Sequence, residues 1–192
     1  MALVLKNRRV VAALAGLAVV AAVVAFWMLR KGDEPPTIDL ISLLPEAEKV
    51  SHWKEPGDAP FTVEDVTLAG ESHKAVFAPA FSRIRWKVPV PRRGILQVYY
   101  GLRDDAWTGD GDGVVFSIGV SDGRSFEEYV RETVSPKDHD RDRRWLSATI
   151  DLAPYEGQVV ELNFNTYSGP RGHDADKRND LALWGDPRVV GQ

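Results

Sequence analysis

The chain has 192 residues, of which 44% are hydrophobic, and it contains no cysteine, which excludes disulfides, thiol catalysis and cysteine metal sites. Its net charge is −4, but residues 1–31 hold five basic and no acidic residues, which leaves 19 basic and 28 acidic residues beyond them, a net charge of −9. Because an acidic domain repels nucleic acid, we expect no nucleic-acid partner.

The first predicted element is a transmembrane helix at residues 10–30. The twenty residues from Val10 to Leu29 carry no charge, and at a rise of about 1.5 Å each they match the roughly 30 Å hydrocarbon core of a bilayer. A cleaved secretory signal is the alternative interpretation. Its apolar region usually has about 7 to 15 residues and ends at a small-x-small site, whereas this run ends with Phe26-Trp27-Met28-Leu29-Arg30. We therefore predict that the segment is retained as an anchor in the lipid bilayer.

Basic residues on both sides of this helix predict its orientation. Three of them lie within residues 1–9, whereas Arg30 and Lys31 follow the helix and lead directly into acidic residues. Counted by basic residues alone, the bias favours a cytoplasmic N-terminus. We therefore expect residues 1–9 in the cytoplasm, the protein in the cell inner membrane, and the bulk of the chain in the periplasm.

Small residues four positions apart in the helix form pairs at which a second membrane helix can approach closely. Because alanine is frequent in the segment, chance pairs on a simple anchor are the alternative. The residues concerned are Ala12, Gly16, Ala18, Ala21, Ala22 and Ala25.

A linker at residues 31–37 leads into an extracytoplasmic domain at residues 38–192, here called the outer domain. Residues 38–44 fit a short helix. Beyond residue 61, period-two alternation and frequent turn signals predict one antiparallel β-sandwich. The predicted strands are residues 61–68, 74–77, 82–90, 94–102, 113–120, 126–133, 145–152, 158–166 and 181–184.

Several segments of the outer domain carry a family resemblance. They are residues 38–40, residues 84–91 with 94–96, residues 106–107, residues 111–116, Trp145 with residues 149–158, and residues 182–187. Together they resemble the galactose-binding-like jelly-roll modules of bacterial extracytoplasmic proteins, over about residues 38–188. The resemblance implies an all-β, antiparallel jelly-roll β-sandwich. Such modules resemble carbohydrate-binding domains in shape, but the fold is also used for protein contacts, so that it does not settle the function.

One short motif raises the hypothesis of hydrolase activity. Gly119-Val120-Ser121-Asp122-Gly123 matches the G-x-S-x-G nucleophile elbow, in which the serine lies on a tight turn from a strand to a helix. Here the following residues predict another strand. A hairpin turn at Asp122-Gly123 explains the motif better, and we predict that the protein is not an enzyme.

Two groups of aspartates raise the hypothesis of a calcium site. Asp138, Asp140 and Asp142 alternate as at the start of an EF-hand loop, but the sixth and twelfth positions are Arg143 and Thr149. A second group lies in a loop with three glycines, and we favour a solvated turn there over a metal site. This group consists of Asp104, Asp105, Asp110 and Asp112.

Sugar binding would require exposed aromatic faces beside polar groups. Trp53, Trp107 and Tyr167 lie in predicted loops, and Arg171 belongs to the long polar loop that follows Tyr167. These four are the candidate sugar ligands. The other candidates for aromatic contacts lie in or beside strands, and we predict that they pack in the core. They are Trp86, Trp145 and Trp184.

The sequence favours a non-enzymatic accessory or structural subunit of a larger membrane complex, for example a photosynthetic or respiratory assembly. Its partners would be integral membrane subunits, which would contact both the helix and the outer domain, and no cofactor is expected. The alternative is a membrane-tethered carbohydrate-binding module for envelope glycans.

Overall fold

A computed structural model describes residues 35–54, 59–169 and 178–191. The described residues from 36 onward belong to one compact unit. The predicted cytoplasmic segment, the transmembrane helix with its small residues, and most of the linker lie outside the described residues. In the ranges given above, no helix is long and apolar enough to cross a membrane.

The described residues form β-strands connected by turns and four short 3₁₀ helices, as predicted for an all-β fold. The 3₁₀ helices are Leu44–Glu46, Asp104–Ala106, Asp140–Asp142 and Ala153–Tyr155. The strands are β1 (Thr37–Asp39), β2 (Glu48–Ser51), β3 (Val63–Leu68), β4 (Glu71–Phe77), β5 (Ser82–Pro89), β6 (Ile95–Leu102), β7 (Val114–Ser121), β8 (Phe126–Val134), β9 (Leu146–Asp151), β10 (Val159–Ser168) and β11 (Ala182–Val190).

The predicted helix at residues 38–44 is wrong. Strand β1 ends at Asp39, whose carboxylate accepts hydrogen bonds from the Ile41 amide at 2.9 Å and the Ser42 hydroxyl at 2.5 Å. An aspartate that bonds the backbone two residues later closes a turn and competes with helix formation. Pro45 then lies in the first turn of the short 3₁₀ helix, where its missing amide proton costs nothing.

The strands form two antiparallel sheets. The six-stranded sheet has the order β3-β4-β11-β6-β9, and β1 pairs with β11 beside this path. The five-stranded sheet has the order β2-β5-β10-β7-β8. Neighbours in each sheet are mostly distant in sequence, so that the pairing brings together residues that no local pattern connects.

One hydrophobic core contains the inward-facing residues of both sheets. At its centre the ring of Trp184, which is 0% exposed, lies 4.8 Å from the ring centroid of Phe164 and 5.0 Å from that of Phe116. Trp86 is buried in the same core. The two sheets therefore enclose the core as a β-sandwich, and these tryptophans pack as predicted.

A smaller cluster covers part of the opposite face of the six-stranded sheet. Ala75 and Phe77 alternate with the core residue Val76 along β4, and Trp145 packs with them on this outer side. Trp107, which is partly buried, contacts both clusters, and its indole nitrogen donates to the Leu102 carbonyl at 2.9 Å. Trp107 therefore has a packing role at this position.

The segment between β7 and β8 is a hairpin turn, as predicted. The Asp122 carboxylate accepts hydrogen bonds from the amides of Arg124 and Ser125, each at 2.8 Å, and Gly123 adopts a φ of 82°. Ser121 ends β7, and strand β8 follows the turn. The G-x-S-x-G motif therefore lies on a turn from strand to strand, without the helix that a nucleophile elbow requires.

Three tyrosines that donate hydrogen bonds to glutamates of β8 have raised pKa values. Burial and the hydrogen bond to Glu132, at 2.5 Å, raise the pKa of the Tyr100 phenol. The hydrogen bond to Glu127, at 2.6 Å, raises the pKa of Tyr129. Burial is the main cause of the raised pKa of Tyr155, whose phenol also donates to Glu127 at 2.9 Å.

We expect these phenols to ionise at higher pH in the native protein than in the unfolded chain. A folded pKa above the unfolded value of about 10 gives stability that is present below pH ~10 and is lost as the pH rises further. The tyrosinate absorbance should therefore rise later in buffer than in concentrated urea. Superimposable titration curves in the two solvents would contradict the burial and the hydrogen bonds described for these phenols.

Candidate functional site

The outer face of the five-stranded sheet is polar, because core residues such as Ile84, Trp86 and Phe164 alternate with outward side chains. Residues directly opposite one another share a face, so that the register defines rows across the sheet. The first row is Val50, Arg83, Asn165, Ser117 and Arg131. The second row is Glu48, Arg85, Asn163, Gly119 and Glu128.

Each row contains an arginine that is bonded to an asparagine. In the first row Arg83 Nε donates to Asn165 Oδ1 at 2.7 Å. In the second row Arg85 Nε donates to Asn163 Oδ1 at 3.0 Å. Because the guanidinium group is only a donor, each asparagine oxygen must face its arginine, which directs the amide NH₂ group elsewhere.

The two pairs differ in what their remaining donors contact. Asn163 Nδ2 donates to the Glu161 carbonyl at 3.3 Å, and Arg85 Nη1 donates to Glu48 Oε2 at 2.9 Å. In the part of the chain that the structure describes, Asn165 Nδ2 and the terminal nitrogens of Arg83 have no such partner. The second pair is therefore a closed structural network, whereas the first pair keeps donors for a ligand.

A pocket of about 260 Å³ lies beside the first pair. Its floor includes Thr166, whose hydroxyl is held by the Ala78 carbonyl at 2.9 Å. Aromatic side chains complete the wall around the polar pair. The lining thus combines His52, Phe81 and Tyr167 with Arg83, Asn165 and Thr166. A volume of this size accommodates a single sugar ring, and apolar walls with a few placed polar groups are typical of small-molecule sites.

The ring of Tyr167 also contacts Arg131, which is not among the described residues that line the pocket. The guanidinium carbon of Arg131 lies 5.4 Å from the ring centroid, within the range of a cation–π contact. Arg131 belongs to β8, whereas Arg83 and the other pocket residues outside β10 come from β5 and the β2 side of the sheet. Arg131 therefore helps to hold the ring from a strand that contributes no residue to the described lining of the pocket.

Of the four predicted sugar ligands, the structure places Tyr167 in the pocket. Trp53 follows the lining residue His52, is partly buried, and its amide donates to Ser51 Oγ at 3.2 Å. Trp107 belongs to the packing contacts of the six-stranded sheet. Arg171 lies outside the described residues.

The four loop aspartates do not converge. Asp105 pairs with Arg103 at 3.1 Å, and Asp110 lies 3.3 Å from Lys137 and 3.4 Å from Arg178. Asp104 begins a 3₁₀ helix, and the carboxylate of Asp112 packs against Gly169. Among the described residues there is no group of three or more His, Asp or Glu side chains arranged for a metal ion.

No protein-family model matches the chain. An uncharacterized protein of Archaeoglobus fulgidus is 34% identical over 105 residues, which are 54% of this chain and 25% of that relative. The match thus spans a quarter of the relative's length.

Solved structures with a similar fold contain carbohydrate-binding modules. The M60 catalytic domain of Clostridium perfringens ZmpB with its CBM51-1 and CBM51-2 domains matches with a TM-score of 0.58 and 15% identity, over 81% of this chain and 15% of that one. CBM51 from Clostridium perfringens GH95, solved in complex with methyl-galactose, matches with a TM-score of 0.50 and 13% identity, over 80% of this chain and 99% of that one. At these identities the likeness shows the fold alone, a β-sandwich, in agreement with the fold class predicted from the sequence.

Proposed function

We propose that the outer domain is a glycan-binding module and that the Tyr167 pocket is its binding site. The observation that carries the proposal is the Arg83–Asn165 pair next to an aromatic wall, since Asn165 Nδ2 and the terminal nitrogens of Arg83 have no hydrogen-bond partner within the described residues. The CBM51 folds add support, because one of them was solved with methyl-galactose. These findings favour the glycan alternative over the accessory subunit of a membrane complex.

The chemistry of the pocket fits a pyranose ring. One face of a pyranose presents C–H groups that pack on an aromatic ring, here Tyr167, while its hydroxyls form hydrogen bonds. Asn165 is only 5% exposed, so that its amide has little access to water and benefits from a hydroxyl acceptor. A binding role of this kind requires no catalytic group. The predicted membrane helix would hold the module at the extracytoplasmic surface, next to envelope polysaccharide.

The proposal is tested by exposing the full chain, purified in mild detergent, to an array of neutral and acidic oligosaccharides. We expect saturable binding to at least one glycan. The Asn165→Ala variant should weaken that binding by roughly 10-fold, because it removes a buried donor to the ligand. The matched Asn163→Ala variant should leave binding unchanged, because Asn163 Nδ2 already bonds to Glu161.

Circular dichroism should show the same fold for both variants. If the folded protein binds no glycan on the array, or if the Asn163 and Asn165 variants lose binding equally, the proposed site is wrong.

A further inference from the structure

We infer that this pocket selects glycans that carry a carboxylate, that is, uronic acid residues, with Arg83 as the group that recognises the charge. The inference rests on the proposed function and names the class of sugar. Four separate properties of the pocket support it: its charge, the pairing of neighbouring cations, the geometry of the guanidinium group and the neutrality of the residue that holds it.

The pocket carries the opposite charge balance from the domain around it. The chain beyond residue 31 has a net charge of −9. The described residues that line the pocket nevertheless include Arg83 and no aspartate or glutamate. The pocket is therefore a local cationic site in an acidic domain, and its charge is complementary to an anionic ligand.

The other cations on the same sheet face are neutralised. Arg85 pairs with Glu48 at 2.9 Å, and Lys87 lies 3.4 Å from Glu161. Arg131 lies 3.3 Å from Glu128. Within the described ranges Arg83 has no ion pair, although it occupies the same strand as Arg85 and Lys87.

The two terminal nitrogens of the Arg83 guanidinium group can donate two parallel hydrogen bonds to a ligand, an arrangement here called the fork. Its Nε is engaged by Asn165 Oδ1, which fixes the plane of the guanidinium group and leaves the two terminal nitrogens. Two parallel N–H groups match the two oxygens of a carboxylate, and charge-assisted bidentate bonds of this kind are stronger than bonds to a hydroxyl. Because asparagine is neutral, the anchoring bond keeps the full positive charge available.

A matched pair of sugars tests the inference directly. Galacturonate and galactose differ at C6, where one has a carboxylate and the other a hydroxymethyl group, and glucuronate and glucose form a second such pair. We expect oligogalacturonate or oligoglucuronate to bind the full chain roughly 10- to 100-fold more tightly than its neutral counterpart in isothermal titration. The methyl ester of the same uronate should bind like the neutral sugar, and added salt should weaken binding of the free acid alone.

Variants then assign the preference to one side chain. Arg83→Gln should abolish the preference for the uronate, so that the affinity for the uronate falls to that for the neutral sugar, and any loss of affinity for the neutral sugar should be much smaller than the loss for the uronate. Arg83→Lys keeps the charge but loses the fork, so that an intermediate preference is expected. Arg85→Gln is the matched control, because Arg85 has the same bond to an asparagine but is already paired with Glu48, and it should keep the full preference.

The outcomes separate this inference from the proposed function. Equal affinities for neutral and acidic sugars would overturn the selectivity and leave the glycan-binding site standing. Tighter binding of galactose 6-sulfate than of galacturonate would assign the fork to a sulfate ester instead of a carboxylate. A folded protein that binds neither series would overturn both proposals.

Discussion

Replacing Trp184 with alanine should lower the free energy of unfolding by about 3 to 5 kcal/mol, the range found when large aromatic side chains are removed from cores. The side chain is 0% exposed and lies between the sheets, with the rings of Phe116, Phe164 and Tyr100 within 6.0 Å of its own ring centroid. Its removal leaves a cavity that rigid strands on both sides cannot close. Urea unfolding followed by tryptophan fluorescence and circular dichroism measures the change.

Two variants serve as controls for this effect. Trp184→Phe keeps most of the apolar contact, and the lost indole N–H has no hydrogen-bond partner in the described part of the chain, so that a loss of only about 1 kcal/mol is expected. Trp53→Ala removes a side chain that lies outside both core clusters and should cost less than Trp184→Ala. If Trp184→Ala and Trp53→Ala lowered the free energy of unfolding equally, the placement of Trp184 at the centre of the core would be wrong.

Strands with one face in the core were the easiest to predict. The predicted strand at residues 82–90 corresponds to β5 (Ser82–Pro89), and the one at residues 158–166 corresponds to β10 (Val159–Ser168). Both lie in the middle of the five-stranded sheet and alternate apolar with polar residues, because one face packs in the core while the other carries the polar rows. The period-two alternation in the sequence follows directly from this arrangement.

The short edge strands β1 and β2 do not bury alternate side chains in this way. Strands β1 and β2 were not predicted, and their burial patterns show why, since every residue of both strands is exposed or partly buried. The polar start of β4 at Glu71 was missed for the same reason. Backbone pairing with a neighbouring strand, not burial of side chains, holds these segments in place.

The candidate site was predictable only in part. Tyr167 was predicted as a sugar ligand in a loop, because an aromatic residue beside a polar segment is conspicuous, whereas the structure places it in β10. In the sequence, Arg83 and Asn165 are indistinguishable from other polar residues on the outward faces of two strands. They lie 82 positions apart in the chain. Their meeting depends on the register between β5 and β10, which the sequence does not specify locally. The difference between Arg83 and Arg85 depends further on where Glu48 of β2 lies.

The Tyr167→Ala variant should remain folded but bind the glycan with roughly 10- to 100-fold lower affinity. A tyrosine that anchors a ligand in a pocket provides a large share of the contact area between protein and ligand. Tyr167 is only partly buried and lies outside both core clusters, so that its removal does not open the core. Isothermal titration with the glycan that the wild-type chain binds best gives the affinity, and thermal unfolding confirms the fold.

Two further tyrosine variants decide whether the ring itself is responsible. Tyr167→Phe keeps the aromatic face and should retain binding, because stacking on C–H groups does not need the phenol. Tyr129→Ala removes a tyrosine that is 39% exposed on β8 and bonded to Glu127, away from the pocket, and should leave affinity unchanged. Unaltered affinity in Tyr167→Ala would move the site elsewhere on the domain. If Tyr129→Ala lowered the affinity as much as Tyr167→Ala, the loss would come from a general change of the five-stranded sheet. Binding at the pocket requires that only substitutions at Tyr167 and its neighbours lower the affinity.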